Sequence, residues 1–179
     1  MSAPISADVT LRAAQLDDAG SLDAVSELRF TDEGITAAQN ALVEPGLSEG
    51  ARWAAVFLYA NGGTDPAPLL PLLDSGDPTI TLMAAVGLIA RGRPEGFASV
   101  INAIYEPDAG TGFLAGSHPP LMRWVFATLS LARYTGRPDL GPPLDAEETM
   151  RARSQQQWQL WLSTEMPTLQ FHPSAGEWS

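Results

Sequence analysis

The chain has no cysteine, no lysine and only two histidines. Without thiols there can be no disulfide framework, no thiolate zinc or iron–sulfur site and no cysteine nucleophile. His118 and His172 lie far apart, each beside a proline, and neither sits in a spaced set of ligands. A metal would therefore depend on carboxylates for most of its ligands. Long apolar runs are missing too, since none approaches the ~18 residues that a membrane-spanning helix needs. Residues 1–8 hold no basic stretch followed by an apolar one, so no secretory signal is read and cytoplasmic residence is the expectation.

What is present is acid. The formal charge is −11, from twenty-one acids against ten arginines. Residues 1–50 hold nine acids against Arg12 and Arg29, a local net of −7. Phosphate backbones repel such a chain, which argues against DNA or RNA as its main ligand. A basic protein partner fits, because complementary charge steers association. Asp17, Asp18, Asp23, Asp32 and Glu33 are the candidate acidic interaction face; the plainer alternative is a solvated surface that keeps the chain soluble.

At 179 residues the chain is expected to be one domain with its own core. Its punctuation is helical. Asp65-Pro66, Asp77-Pro78 and Arg93-Pro94 each precede an apolar segment, and Gly62-Gly63, Gly92 and Gly136 each follow one. Asp suits an N-cap, Pro suits the first helical position, and glycine ends helices in the left-handed conformation. Phe97, Val100, Ile101, Ile104 and Tyr105 form one stripe at i, i+3, i+4, i+7 and i+8. The segments 51–60 and 79–90 carry apolar residues on two sides, as in helices packed between neighbours. The predicted helices are 8–18, 20–29, 33–43, 48–61, 66–74, 78–91, 94–105, 119–134 and 146–164. Asp145 and Glu148 make a start like a capping box for the last helix, and Met150, Trp158, Trp161 and Leu162 give its stripe. Residues 166–179 read as an irregular tail, with Leu169, Phe171 and Trp178 as candidates for docking on the body.

Self-similarity is the strongest signal. Trp53-Ala-Ala-Val-Phe-Leu-Tyr-Ala-Asn-Gly-Gly lies thirty positions before Met83-Ala-Ala-Val-Gly-Leu-Ile-Ala-Arg-Gly-Arg, and each precedes a short Pro-started segment. A third copy, Met122-Arg-Trp-Val-Phe-Ala-Thr-Leu-Ser-Leu-Ala-Arg-Tyr-Thr-Gly, follows an insertion at 106–118. The stretch Leu69-Leu-Pro-Leu-Leu-Asp-Ser-Gly-Asp-Pro-Thr-Ile-Thr-Leu-Met-Ala-Ala-Val-Gly-Leu-Ile-Ala-Arg-Gly resembles the HEAT-repeat family, including its short bacterial lyase-type repeats. The resemblance covers residues 33–165. It implies an all-α, single-domain α-solenoid of stacked antiparallel helix pairs over residues 1–165. The family usually has a basic residue after the turn; Thr81 sits there in this copy, while Arg52 and Arg123 restore it in the others.

The resemblance implies a binding role more than a chemical one, because such stacks mostly bind proteins along an extended surface and a minority act on pigments or DNA bases. Arg52, Trp53, Tyr59, Arg123 and Trp124 are the candidate binding residues, since Arg, Trp and Tyr are favoured at interface hot spots. The plainer reading of the two Arg-Trp dipeptides is a Trp in the inter-repeat core beside a surface Arg.

Motifs of chemistry do not hold up in context. Gly46-Leu-Ser48-Glu-Gly50 matches a nucleophile elbow in form only: a helix and Pro45 precede it, and Ser48 reads as an N-cap. Gly110-Thr-Gly112-Phe-Leu-Ala115 lacks the strand that a dinucleotide fingerprint needs, and reads as a loop. The adjacent pairs Asp17-Asp18 and Glu147-Glu148 point to different sides of a helix. No cofactor is expected. The leading expectation is a non-catalytic protein-interaction module, in one version an immunity-type protein that neutralises a basic partner. The alternatives are an enzyme of the lyase-repeat type or one with a carboxylate site, and, less favoured, a nucleic-acid-binding HEAT-like protein.

Overall fold

The computed structural model describes residues 32–47, 49–105 and 121–179, together with the backbone alone at Glu33. The helices expected at 8–18 and 20–29, the insertion, the Gly110–Ala115 segment, Ser48 and His118 lie outside the described residues. Helix α1 is Asp32–Leu42 and α2 is Glu49–Gly62; a 3-10 helix, Ala67–Asp74, leads to α3, Pro78–Ile89. A 3-10 turn, Pro94–Gly96, opens α4, Phe97–Asn102. Then come α5, Arg123–Thr135, a 3-10 turn Pro138–Leu140, α6, Glu148–Thr164, and a 3-10 turn Met166–Thr168. The chain closes on two short antiparallel strands, β1 Phe171–His172 and β2 Glu177–Trp178, with Phe171 opposite Trp178 and His172 opposite Glu177. The described residues are mostly helical, as the periodicity predicts.

Local chemistry explains where the expected elements hold and where they change. Asp77 caps α3 as predicted: its Oδ1 accepts from the backbone N–H of Thr79 at 2.7 Å and of Ile80 at 3.1 Å. Gly136 ends α5 in the left-handed region at φ 65°. The segment expected as a helix at 66–74 is a 3-10 helix instead, because Pro68 and Pro71 remove donors from any i→i−4 ladder. The capping box expected for α6 does not form. Glu147 holds the N-cap position without a side-chain bond, while Glu148 accepts from the Tyr105 hydroxyl at 2.8 Å. Gly63 is buried beneath Tyr59 and does not take up the left-handed conformation expected there.

Helix α3 is the centre of the packing. Nine of its twelve residues are buried, and it touches α2, the 67–74 helix, α4 and α5. A helix enclosed in this way has little amphipathic character, which accounts for the apolar residues on two of its sides. Two close approaches hold its neighbours. A Cβ at Gly87 would lie 2.8 Å from Ala60 Cβ, so α2 can sit against the α3 backbone. A Cβ at Gly96 would overlap the Ala85 carbonyl oxygen, so the start of α4 lies directly on α3.

The tail is more ordered than the sequence suggests. Gln170 and Ser179 exchange two backbone hydrogen bonds, of 2.9 and 3.0 Å, which flank the strand pair. Trp178 is buried; its ring meets Phe97 edge-on at 5.5 Å and Phe171 at 5.5 Å. Phe97 also meets Trp161, which packs edge-to-face on Trp158 at 5.3 Å. The hairpin forms because these aromatic rings together bury far more area than a two-residue ladder could hold by itself. On α6, Trp158 and Trp161 face inward as expected, but Met150 is 52% exposed and does not join the stripe.

The C-termini of α2 and α4 are closed by polar side chains from further along the chain. The Arg91 guanidinium donates to the carbonyls of Tyr59 (3.0 Å), Ala60 (2.7 Å) and Gly63 at the end of α2, and to Gly87 of its own helix (2.7 Å). Gln155 Nε2 does the same for α4, donating to Asn102 at 3.3 Å and Tyr105 at 3.2 Å. Both add donors at helix ends, where intrahelical partners run out; Tyr59 and Asn102 also accept from the N–H groups of Gly63 and Tyr105.

Candidate interaction groove

The connections between α2, the 67–74 helix and α3 are short, so consecutive segments run back and forth. The N-terminal ends of α2 and α3 therefore lie on one edge, and α5 places its own N-terminus beside them. A groove of about 420 Å3 crosses these three ends. Glu49 and Trp53 of α2 form one wall, Gly76, Asp77, Pro78 and Thr79 the floor, and Arg123 of α5 the far side.

Trp53 is half-buried, and its Nε1 donates to Asp77 Oδ2 at 2.7 Å. Asp77 thus serves two helices at once, capping α3 and anchoring the first turns of α2. Thr81 lies with its Oγ1 3.2 Å from Ser75 Oγ at the turn. An indole from α2 thus engages the turn aspartate. The anchored indole is half-buried and lines the groove.

The structure brings Trp53 and Arg123 together and sends the other sequence candidates elsewhere. Arg52 is exposed but does not line the groove. Tyr59 is only 2% exposed, and its hydroxyl donates to the Asp65 carbonyl at 2.9 Å. Burial, then the Asp65 carboxylate, pushes the pKa of that hydroxyl up. Trp124 is 7% exposed; the Arg151 guanidinium lies 5.5 Å over its ring, and its Nε1 donates to Met122 Sδ at 3.3 Å. Neighbours in a helix point about 100° apart, so each Arg-Trp dipeptide divides its two side chains between environments. Tyr59 and Trp124 therefore support the helical core and offer no surface to a partner. Of the acidic candidates, Asp17, Asp18 and Asp23 lie outside the described residues, as does the Glu33 side chain, and Asp32 is exposed at the start of α1.

Sequence pattern marks neither of two acids here, Glu49 on the groove and Asp74 on a neighbouring pocket that shares Gly76 and Pro78 with it. Glu49 is exposed at the start of α2, and Asp74 is exposed at the end of the 67–74 helix; neither forms an ion pair among the described residues. Three other acids are paired. Arg93 meets Glu95 at 2.6 Å, and Arg137 meets Asp139 at 3.0 Å and Glu165 at 2.9 Å. No residue-type signal distinguishes these two sets of acids; only the fold separates them.

The paired acids carry a pH dependence of known sign. The hydrogen bond from Arg93 holds the Glu95 pKa below its ordinary value of 4.5, and the bond from Arg137 holds Asp139 below 3.8. A depressed folded-state pKa contributes stability that is fully present above the ordinary value and is lost as pH falls through the lowered one. These pairs therefore add stability that does not vary with pH near neutrality, and the urea midpoint is expected to fall below pH 4.5 as it is lost. The double variant Glu95→Gln, Asp139→Asn should show a shallower acid loss than the parent. An equally steep loss would mean that these pairs are not linked to folding. The effect is small, because exposed pairs are screened by solvent.

Among the described residues no three His, Asp or Glu side chains converge as a metal site would require, and no helix is long and apolar enough to cross a membrane. In comparison with known proteins, the chain matches no family model, no curated protein and no solved structure.

Proposed function

We propose that this chain is a non-catalytic protein-interaction module built as a HEAT-like α-solenoid, with the edge that carries the Trp53–Arg123 groove as its contact face. The observation that carries this reading is the meeting of Trp53 and Arg123, from two repeat copies, in one groove. Support for the stacked arrangement comes from the packing of the three copies in a row, α2 against α3 and α3 against α5. Stacked repeats bind through surfaces to which successive units contribute equivalent positions.

The partner that fits this edge best is a basic protein. Glu49 on the groove and Asp74 on the adjoining pocket form no ion pair among the described residues, on a chain of net charge −11. Unpaired surface acids keep their full field for an incoming cation, which raises the rate of encounter. Trp53 adds a rigid aromatic surface that loses little conformational entropy on contact.

A test compares the parent with two variants, Glu49→Arg with Asp74→Arg, and Trp53→Leu, against proteins captured from the native host. A basic protein retained by the parent should bind the charge-reversed variant roughly tenfold or more weakly, mainly through a slower on-rate. That difference should shrink as salt is added. Circular dichroism checks that both variants fold. Equal retention of the same partner by all three proteins would refute the assignment of this edge.

A further inference from the structure

We draw no further inference here: the strongest candidate, the two buried donors Arg151 Nε and Trp158 Nε1 seven residues apart on one face of α6, carries nothing because no feature of the structure shows what would accept from them.

Discussion

Replacing Arg91 with methionine is expected to cost about 3 kcal/mol of folding stability, read from urea denaturation. The guanidinium is not a surface ion: its donors go to four backbone carbonyls, three of them in or just beyond the last turn of α2. Burial pushes its pKa down, opposed by Tyr59 and Tyr134, yet an arginine stays charged across the physiological range. Methionine would fill much of the same volume and leave the Ala60, Gly63 and Gly87 carbonyls without this donor, while Tyr59 keeps the Gly63 N–H. The price is set by stranded acceptors more than by lost charge. Lysine should recover less than half of the loss, because a point ammonium cannot span the fork that reaches Gly63 and Tyr59 together. A methionine variant as stable as the parent would show that the α2 carbonyls do not depend on Arg91.

The tail should make a contribution of similar size. Trp178→Ala is expected to lose about 4 kcal/mol, since it empties a site that is 6% exposed and removes contacts with Phe97 and Phe171. The indole also donates to the Ile89 carbonyl at 3.1 Å, at the C-terminal end of α3. Trp178→Phe should therefore still cost about 1–2 kcal/mol through that bond alone. Trp158 is the internal control. It is fully buried, but its Nε1 has no hydrogen-bond partner among the described residues. Trp158→Phe exchanges an unsatisfied donor for a slightly smaller ring and should cost under about 1 kcal/mol. Equal losses for the two Trp→Phe variants would mean that the Trp178–Ile89 bond makes no net contribution.

Helices were legible wherever periodicity and end residues agreed. Around α3 the Asp77-Pro78 cap, the apolar sides and the later glycine all point the same way, and the helix begins at Pro78 as expected. Signals that rest on one residue fared less well. Glu148 has the spacing of a capping box, but Tyr105, forty-three positions earlier, claims its carboxylate. Two prolines in 67–74 changed the type of helix without removing it. The tail looked irregular because two-residue strands leave no periodic trace, while the force that holds them comes from distant aromatic rings.

The groove was half legible. Trp53 and Arg123 stood out by residue type and repeat position, but Tyr59 and Trp124 share their chemistry and turned inward. Which member of an Arg-Trp pair faces out depends on how the helix is rotated against its neighbours, and a local pattern does not encode that rotation. The roles of Arg91 and Gln155 were invisible for a related reason. Each acts on carbonyls about thirty or fifty positions away, and nothing in their own neighbourhood marks them.

The enclosure of α3 also sets how the molecule opens. Helix α1 packs on α2, so that end can fray while α3 keeps its remaining neighbours. Helix α3 itself cannot be released without parting α2, α4 and α5 from their shared core. Its amides should exchange with solvent only through global unfolding, with protection falling toward α1. Breathing confined to the α1 end would leave the floor of the groove, built on the first turn of α3, in place.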